Sequence, residues 1–569
     1  MEATKTPQQH VPVLIVGAGP VGLAMAIDLA WRGIKCMLIE RTDGSINTPK
    51  LGAVGIRTME LCRRWNIADA VRATPYQRDW GLDMVFVTTI AGHLLARIPY
   101  PSLNDDPIPQ QSPEKKWRCP QLWFDPALTE CARAYPSIEL RYRTQLDSFE
   151  DRGNQVVAQL SHLDTLETET VTADFMIGCD GGGSTVRRAL GIEMHGKRAL
   201  DYSVAIFFRS RSLARDHDKG DAERYYFVGR EGWWGNISAM DGRELWRLTV
   251  PSSEAGVEQV VRDADKWVRR ALGTDAIPFE IISALPWRRS QLTAESYGRG
   301  RVFIAGDSAH TMSPTGGLGM NTGMGDVDNL GWKLQAVLEG WGGSALLDSY
   351  TTERKPIGER NAGASAGNYF AIKSVTDCSA VLDDTAQGEA ARQAIGQDIT
   401  AAMRNEWEQL GVHLGYRYEG SPVVVSDGTP EPEDTSRFYT QTSRPGHRAP
   451  HVWLEGGATG GTSEGRSTLD LFGRGFVLLR LGKEAPDVSA FSRAAAERHM
   501  PLEIIEFIRP DVVAAYERQL VLVRPDGHVA WRGDAVPDDI GFVLDSVRGL
   551  STDAGSREPS QTTASADLN

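Results

Sequence analysis

Two glycine-rich segments, nearly 300 residues apart, hold the residues whose types and spacing are the most specific in this chain. The first segment consists of Gly17, Ala18, Gly19, Pro20, Val21 and Gly22. In a segment of this spacing the first glycine permits a tight turn, the third position lets the backbone approach a pyrophosphate, and the sixth lets a helix pack closely on a strand. The segment therefore predicts a binding site for a dinucleotide.

The residues on either side of this segment predict the elements that such a turn requires. Residues 11–16 are apolar and rich in β-branched side chains, which is typical of a strand buried on both faces of a parallel sheet. A helical pattern follows as far as Arg32, and the free N–H groups at its start would face the phosphates. A second run, residues 35–39, ends at Glu40, whose carboxylate suits the hydroxyls of an adenosine ribose. We expect Glu40 and the adjacent Arg41 to contact the nucleotide, although these features do not distinguish NAD from FAD.

The second glycine-rich segment starts at Gly306 and indicates which dinucleotide is bound. Residues 301–305 predict another buried strand, and the carboxylate of Asp307 at its tip suits sugar or ribityl hydroxyls. A loop of proline and glycine then leads into a helical pattern that starts near Met320. The N-terminus of such a helix stabilises negative charge, and a reduced flavin is an anion, so this arrangement favours FAD. We expect His310 to have a packing or capping role rather than a role in proton transfer.

A third element, residues 175–181, lies between the two segments and contains Asp180. Together the three elements resemble the fingerprints of the group A flavoprotein monooxygenases, the FAD-dependent aromatic hydroxylases that are similar to p-hydroxybenzoate hydroxylase. The resemblance covers roughly residues 11–360 and implies that the first segment binds the ADP part of FAD. It also implies that Asp180 lies near both flavin and nicotinamide and that Asp307 binds the ribityl chain. The remaining residues that the resemblance assigns to FAD are Gln121, Pro314, Gly319, Met320 and Asn321.

The expected fold is α/β, with a Rossmann-like FAD-binding domain, an inserted antiparallel β-sheet domain for the substrate, and a C-terminal thioredoxin-like domain. At 569 residues the chain is too long for a single hydrophobic core. The expected boundaries are 1–75, 110–190 and 296–375 for the discontinuous FAD-binding domain, 76–109 and 191–295 for the substrate domain, 376–448 for a helical segment and linker, 449–550 for the thioredoxin-like domain, and 551–569 for a disordered tail.

The inserted domain is predicted from strand-like runs that are rich in aromatic residues. The expected strands are 204–208, 225–228 and 245–250, with turns at 232–235 and 241–242, and a further strand pair is expected at 82–89 and 93–98. An aromatic substrate requires an apolar and largely preformed pocket, and some of these side chains are expected to line it. The candidate substrate contacts are Tyr225, Arg230, Arg247 and Trp287. No residue is identified as a catalytic base.

The C-terminal domain is predicted from strands at 476–480, 502–508 and 520–523, followed by a Pro-Asp-Gly turn. Their order resembles the thioredoxin-like domain of the phenol hydroxylase and polyketide hydroxylase branches. No cysteine follows Cys378, which excludes a dithiol redox role for this domain. Across the whole chain the likeness is strongest to biosynthetic oxygenases of the indolocarbazole type, which implies a bulky fused or phenolic aromatic substrate.

Charge and cysteine usage exclude several other classes of protein. The net charge of −14 provides no electrostatic surface for nucleic acid. The six cysteines show no CxxC pair and no clustering with histidine, so neither disulfides nor a metal site is expected. No secretory signal precedes the strand that starts near residue 11, and no integral membrane association is expected. We therefore expect a cytoplasmic enzyme that is a monomer or a homodimer.

The resemblance also implies a reaction. NADH or NADPH binds transiently and reduces the flavin, the reduced flavin reacts with O2 to form a C4a-hydroperoxide, and an electron-rich aromatic ring attacks its distal oxygen. Several phenol-degrading members carry a histidine base after the ribose-binding acid, but here no titratable residue lies between Lys50 and Arg57. The alternatives are Baeyer–Villiger oxygenation or oxidative decarboxylation in the same fold, a flavoprotein oxidase or reductase, and a non-catalytic flavin carrier.

Overall fold

The computed structural model describes residues 9–46, 50, 52–374, 378–459 and 462–550, so the tail expected to be disordered, 551–569, lies outside the described residues. The strands are β1 Gln9–Val16, β2 Cys36–Ile39, β3 Ala53–Val54, β4 Met84–Val87, β5 Leu94–Ile98, β6 Trp117–Arg118, β7 Ile138–Arg141, β8 Thr144–Asp151, β9 Val156–His162, β10 Thr168–Gly178, β11 Met194–Arg209, β12 Arg224–Gly229, β13 Gly232–Ala239, β14 Leu245–Ser252, β15 Glu280–Ala294, β16 Gly298–Arg299, β17 Val302–Ile304, β18 His310–Thr311, β19 Trp453–Thr459, β20 Thr462–Ser467, β21 Phe476–Leu481, β22 Leu502–Phe507, β23 Leu520–Val523 and β24 Val529–Gly533. The helices are α1 Pro20–Trp31, α2 Ile56–Arg64, α3 Ala68–Arg72, α4 Gln121–Ala134, α5 Thr185–Ala189, α6 Val257–Arg262, α7 Ala264–Leu272, α8 Leu318–Leu338, α9 Ser344–Lys373, α10 Ala386–Ala402, α11 Arg404–Trp407, α12 Leu410–Leu414, α13 Ser489–Glu497, α14 Pro510–Tyr516 and α15 Ile540–Val547.

The first sheet has the strand order β16-β17-β10-β1-β2-β7, and β9 and β8 extend it from β10. Strand β1 lies parallel to β10 and β2, and β17 lies parallel to β10. Val16, Ile39, Gly178 and Ile304 stand side by side in this register, so four strands end at the same edge. Open parallel sheets bind their ligands at this edge. The residues just beyond it are those of the glycine turn, Glu40, Asp180 and Asp307.

Helix α1 holds the two glycine-rich segments at a fixed distance from each other. It packs against both α4 and α8, and its residues 22–30 are all buried. A helix that is covered on all sides is apolar on all sides, which explains why this stretch shows no polar face. Because α8 starts at the second glycine-rich segment, its packing against α1 brings that segment to the glycine turn.

The second sheet has the strand order β18-β15-β11-β14-β13-β12-β4-β5, and only the β4–β12 pair is parallel among the described pairings. Residues 232–235 belong to β13, so the prediction of a turn there is wrong. The chain turns two residues earlier, between Gly229 and Gly232, which pair with each other. The two tryptophans that follow continue the strand, as aromatic side chains favour. The sequence patterns also do not predict the long strand β15.

The C-terminal sheet has the strand order β22-β21-β23-β24. Strand β22 is parallel to β21, and the other two pairs are antiparallel. Helices α13 and α15 cover one face and α14 covers the other, which is the expected thioredoxin-like arrangement. Trp332 of α8 packs edge-on against Phe476 of β21, with 5.8 Å between the ring centroids, so this domain shares a core with the FAD-binding domain.

The described residues bear on three questions: membrane-spanning helices, metal-binding clusters and reactive thiols. None of the helices that they form is long and apolar enough to span a bilayer. They contain no cluster of three or more His, Cys, Asp or Glu side chains that would suit a metal ion. None of the cysteines in the described residues forms a disulfide, and burial raises the pKa of Cys36 and of Cys119 to about 12. A thiol in such surroundings is unreactive at neutral pH.

Candidate active site

A cavity of about 830 Å³ lies between the carboxyl edge of the first sheet and one face of the second sheet. Its first wall includes Gly19, Asp307 and the loop at Pro314, and its opposite wall includes Tyr226 and Trp287. The sequence places these residues far apart, and the two sheets bring them together. A single cavity therefore joins the predicted cofactor residues to an aromatic surface.

The turn at Gly17 has the backbone geometry that a pyrophosphate site requires. Gly17 has φ +102°, and its N–H donates to the carbonyl of Ile39 at 2.8 Å. A Cβ on Gly22 would lie 1.9 Å from the carbonyl oxygen of Gly17, so a side chain there would separate helix from turn. A Cβ on Gly19 would meet nothing within 4 Å, and no side chain caps the helix that starts after it. The N–H groups at the start of α1 are thus free for an anion.

Glu40 is held at the end of β2 by hydrogen bonds to the backbone. Its Oε2 accepts from the N–H of Ala18 at 2.9 Å, and its Oε1 accepts from the N–H and the hydroxyl of Thr42, both at 2.9 Å. Oε1 thus accepts two hydrogen bonds, whereas Oε2 keeps a second lone pair that can accept from a ribose hydroxyl. Arg41 is exposed beside it. These positions fit the adenosine end of FAD.

Asp307 lies in a single 3-10 turn directly after β17 and reaches the cavity. Its Oδ2 is 3.3 Å from Nζ of Lys50, and 41% of the Asp307 side chain is exposed, so the carboxylate remains accessible. The turn itself is fixed from behind, because Oδ2 of Asp326 accepts from the N–H of Gly306 at 3.0 Å. The same Asp326 oxygen lies 2.8 Å from Nε2 of His310, which is fully buried. His310 thus has the packing role that we expected.

Gln121 opens helix α4 at the rim of the cavity and is oriented by a buried carboxyl group. Its Nε2 donates to Oδ2 of Asp125 at 2.9 Å, and its Oε1 accepts from the N–H of Lys50 at 3.3 Å. Burial raises the pKa of Asp125 to about 7, although the hydrogen bond from Gln121 and the charge of Lys50 both lower it. The amide of Gln121 is therefore held between Asp125 and the segment that contains Lys50.

The Asp180 carboxylate is occupied by protein groups rather than directed into the cavity. Its Oδ2 accepts from the N–H groups of Thr185 at 2.6 Å and Val186 at 3.2 Å, so it caps the short helix α5. Its Oδ1 accepts from the hydroxyls of Ser184 and Ser308. Three glycines that follow Asp180 line the cavity instead. In this structure the backbone of that segment, and not the Asp180 side chain, faces the site.

The loop after Asp307 faces the cavity with Pro314, Gly319 and Met320. Helix α8 starts after Gly317, which has φ +67° and provides no side-chain cap, so the first N–H groups of this helix are free. Such a helix end suits the negative charge of a reduced flavin ring. The start of α1, Asp307 and the start of α8 thus fit the pyrophosphate, the ribityl chain and the flavin ring of one FAD molecule, respectively.

Asn321 lies behind this loop, and its side chain is fully used by the protein. Its Oδ1 accepts from the N–H of Gly55 at 2.7 Å and from the hydroxyl of Thr58 at 2.6 Å. Its Nδ2 donates to the carbonyls of Ala53 at 2.8 Å and Gly317 at 2.7 Å. The side chain of Asn321 therefore holds the two loops that flank the ring site together, and a contact between Asn321 and FAD remains a prediction for its backbone.

Two of the four candidate substrate contacts line the cavity, and two do not. Arg247 and Trp287 are part of the lining. The prediction that Tyr225 contacts the substrate is wrong. Side chains alternate along β12, and the hydroxyl of Tyr225 points away from the cavity and donates to the carbonyl of Gly220 at 2.6 Å. The same prediction for Arg230 is also wrong, because Arg230 lies in the β12–β13 turn and pairs with Asp383, with 2.5 Å between Nη2 and Oδ1.

The sequence patterns miss several lining residues. Alternation along β12 was sufficient to find Arg224 and Tyr226, which flank Tyr225 and face the cavity. Phe86 of β4 stacks on Tyr226, with 4.7 Å between the centroids, and fixes the orientation of that ring. Tyr369 of α9 and Trp407 of α11 also line the cavity, and nothing in their local sequence indicates it, because they arrive from helices outside the sheet.

Comparison with known proteins is consistent with this geometry. A family model described as an FAD binding domain matches residues 10–365, and a model described as the C-terminal domain of aromatic-ring hydroxylases matches residues 442–549. The FAD-dependent monooxygenase apdD of Emericella nidulans is 33% identical, over 92% of this chain and 88% of its own length. A putative polyketide hydroxylase of Streptomyces halstedii is also 33% identical, over 92% of this chain and 93% of its own length.

Solved structures show the same architecture over the whole chain. RebC that was soaked with chromopyrrolic acid and holds 7-carboxy-K252c is 39% identical, with a TM-score of 0.88 over 96% of this chain and 100% of that chain. The flavin-dependent monooxygenase PieE, in complex with FAD and substrate, is 29% identical, with a TM-score of 0.86 over 96% of this chain and 100% of that chain.

Proposed function

Because the chain belongs to the family of FAD-dependent aromatic-ring hydroxylases, we propose that it hydroxylates a phenolic or polycyclic aromatic substrate with O2 and NADH or NADPH. The ring C–H becomes C–OH with one oxygen atom of O2, the hydride of the nicotinamide supplies the two electrons, and the other oxygen atom leaves as water with that hydrogen and one proton from solvent. Bound FAD supplies the oxygen activation and the electron transfer. The residues of the chain bind and orient the two partners.

The single observation that supports this proposal is the continuity of the cavity. Asp307 and Pro314, on the side that fits FAD, share one enclosed space with Tyr226, Trp287 and Trp407. Aromatic side chains provide apolar, flat contacts for a fused ring system. An aromatic substrate on that wall would lie directly against the position of the flavin ring.

In this proposal the residues of the chain fix the orientation of the substrate wall relative to the flavin loop. Arg289 Nη1 donates to Oγ of Ser313 at 2.8 Å, which joins the substrate wall to the loop before Pro314. The Arg289 guanidinium also lies 4.2 Å from the ring centroid of Tyr369 and 4.8 Å from that of Trp287. These contacts pack the wall against the flavin loop and fix their separation. Fixed separation of reacting groups is the main contribution that a protein makes to a reaction carried by its cofactor.

The proposal is tested by anaerobic reduction followed by exposure to air. Purified FAD-loaded protein is mixed with NADH or NADPH, with and without naphthols, hydroxyanthracenes and their carboxylic acids, and the flavin absorbance is followed. We expect one or more of the aromatics to accelerate flavin reduction and to be hydroxylated when air is admitted. Flavin reduction with release of hydrogen peroxide and no hydroxylated product would indicate an oxidase. Binding of aromatics without any flavin reduction would indicate a carrier.

A further inference from the structure

The cavity holds one buried arginine without a counter-charge. Three other buried arginines of the lining each have a carboxylate within 4 Å among the described residues: Arg118 with Glu223 at 2.8 Å, Arg224 with Glu406 at 3.0 Å, and Arg289 with Asp201 at 3.2 Å. Arg247 lies in the same lining, and within the described part of the chain it has no ion pair and no hydrogen bond.

Burial makes this unpaired charge unfavourable in the free protein. Arg247 is 8% exposed, and its Nε has no hydrogen-bond partner. Burial, followed by repulsion from Arg224 and Arg289, lowers the pKa of Arg247 to about 10. A buried guanidinium is retained in proteins when a partner neutralises it and uses its donors. The chain itself does not provide that partner, which points to a ligand.

The surroundings of Arg247 are arranged for an anion at the end of an aromatic surface. Arg247 and Thr249 face the cavity from β14, because side chains two residues apart share one face of a strand. Asn236 of β13 pairs with Thr249 in the register and also lines the cavity. Asn236 and Thr249 are thus neutral polar neighbours of Arg247, the nearby cations Arg224 and Arg289 are paired with carboxylates, and Tyr226 provides the adjacent flat apolar contact.

We propose that Arg247 binds a single carboxylate on the aromatic substrate, so that the substrate is a monoanionic fused-ring or phenolic acid. This proposal rests on the hydroxylase function proposed above and specifies its substrate class. One carboxylate is expected rather than two, because Arg224 and Arg289 are already neutralised by Glu406 and Asp201. Arg288, another arginine of the lining, is exposed to solvent and needs no counter-charge, so a second carboxylate beside Arg247 would have to displace one of these protein carboxylates or remain buried without a partner.

The test is direct binding of three matched probes to the FAD-loaded protein by calorimetry. The probes are 3-hydroxy-2-naphthoate, its neutral carboxamide, and naphthalene-2,3-dicarboxylate. We expect the monoanion to bind about 10- to 100-fold more tightly than the other two, as the loss of a charge-assisted hydrogen bond implies. Equal affinity for all three probes, tighter binding of the dianion, or binding of none of them by the wild-type protein would contradict the proposal.

Two substitutions test whether Arg247 causes the preference for the monoanion. Arg247→Gln should abolish the preference for the monoanion, whereas Arg247→Lys should retain it with weaker affinity, because the ammonium keeps the charge but not the forked donors. Arg230→Gln is the matched control, since Arg230 lies outside the cavity and pairs with Asp383. Should Arg247→Gln keep the full preference while remaining folded, the anion site is elsewhere. We also expect Arg247→Met to raise the melting temperature of the protein without substrate, and a lower melting temperature would show that Arg247 has a structural partner.

The same proteins separate the two proposals. Turnover of neutral 2-naphthol with NADH or NADPH tests hydroxylation without using the carboxylate. A protein that hydroxylates 2-naphthol but shows no preference for the monoanion would disprove the carboxylate site alone. A protein that prefers the monoanion but consumes no NADH or NADPH would disprove the hydroxylase function and leave the binding site intact.

Discussion

Asp307 Oδ2 lies 3.3 Å from Nζ of Lys50, and this ion pair joins the end of β17 to the segment that follows the nucleotide strand β2. The side chains are 41% and 74% exposed, respectively, so both are open to the cavity. The pair places a carboxylate at the middle of the space between the uncapped helices α1 and α8. We interpret Asp307 as the acceptor for the ribityl hydroxyls of FAD.

Replacement of Asp307 by alanine should therefore lower the FAD content of the purified protein. The variant loses a charged acceptor and leaves Lys50 without its partner, and we expect FAD affinity to fall by about tenfold or more. The flavin absorbance per protein and the dissociation constant of FAD measure the effect. Asp275→Ala is a suitable control, because Asp275 is an exposed carboxylate that pairs with Arg269 and does not line the cavity. Unchanged flavin content in Asp307→Ala would disprove this role.

Asn321 is expected to act on stability and only indirectly on FAD. Three of its four side-chain hydrogen bonds join residues 53–58 to the start of α8, and the fourth is to Gly317 at the N-cap of α8. Removing them by Asn321→Ala should lower the free energy of unfolding by about 2–4 kcal/mol, at about 1 kcal/mol for each bond. Urea denaturation of the apoprotein measures this, with the exposed Asn154→Ala as control. An apoprotein as stable as the wild type, combined with weakened FAD binding, would instead show a direct contact.

The raised pKa of Asp125 predicts that the stability of the protein depends on pH. Burial raises its pKa in the folded protein from 3.8 to about 7, so the folded state holds this proton more tightly than the unfolded state does. The stabilisation is fully present at pH values below about 4 and is lost as the pH rises towards 7, by roughly 1 kcal/mol per pH unit. Asp125→Asn keeps a neutral side chain at every pH. We expect the variant to be more stable than the wild type at pH 8 and the difference to shrink towards pH 5, as measured by urea denaturation of the apoproteins. A difference that does not change with pH would contradict the raised pKa.

The interface between the FAD-binding domain and the C-terminal domain depends on a buried ion pair. Arg524 donates from Nη1 to Oε1 of Glu353 at 2.6 Å and from Nη2 to Oε2 at 2.9 Å, and both side chains are fully buried. Arg524→Met leaves the Glu353 charge with fewer partners, and we expect a loss of about 3–5 kcal/mol in the free energy of unfolding. Arg518→Met, which breaks the more exposed pair with Asp534, should change it by less than about 1 kcal/mol. Equal effects of the two substitutions would contradict a special role for the buried pair.

The sequence was informative where backbone geometry imposes residue type. Gly17 and Gly22 are required by the close approach of backbone segments, whereas the space beside Gly19 is open, as a position that faces a pyrophosphate requires. Parallel strands that end at one edge also bring Glu40 and Asp307 to the same site, so these residues were predictable from strand ends alone. Neither inference needs any knowledge of the side chains across the cavity.

The substrate wall was only partly predictable, because it depends on which face of each strand is buried. A one-residue shift in the alternation of β12 separates the predicted Tyr225 from the observed Tyr226. Trp407 reaches the cavity from α11, and no local pattern can indicate a contact that depends on helix packing over such a distance in sequence. The position of Asn321 in the glycine-rich loop suggests a contact with the flavin ring, but its side-chain hydrogen bonds hold two loops of the protein together. The sequence does not distinguish these two roles, because both require an amide at the same position.

The most direct test of the proposed hydroxylase function is the fate of molecular oxygen. FAD-loaded protein is incubated with NADH or NADPH, 3-hydroxy-2-naphthoate or 2-naphthol, and ¹⁸O2, and the products are analysed by mass spectrometry. We expect a hydroxylated product that contains one ¹⁸O atom, formed in proportion to the nicotinamide consumed. Nicotinamide oxidation in which all the ¹⁸O appears in hydrogen peroxide, with none in an aromatic product, would contradict the proposal.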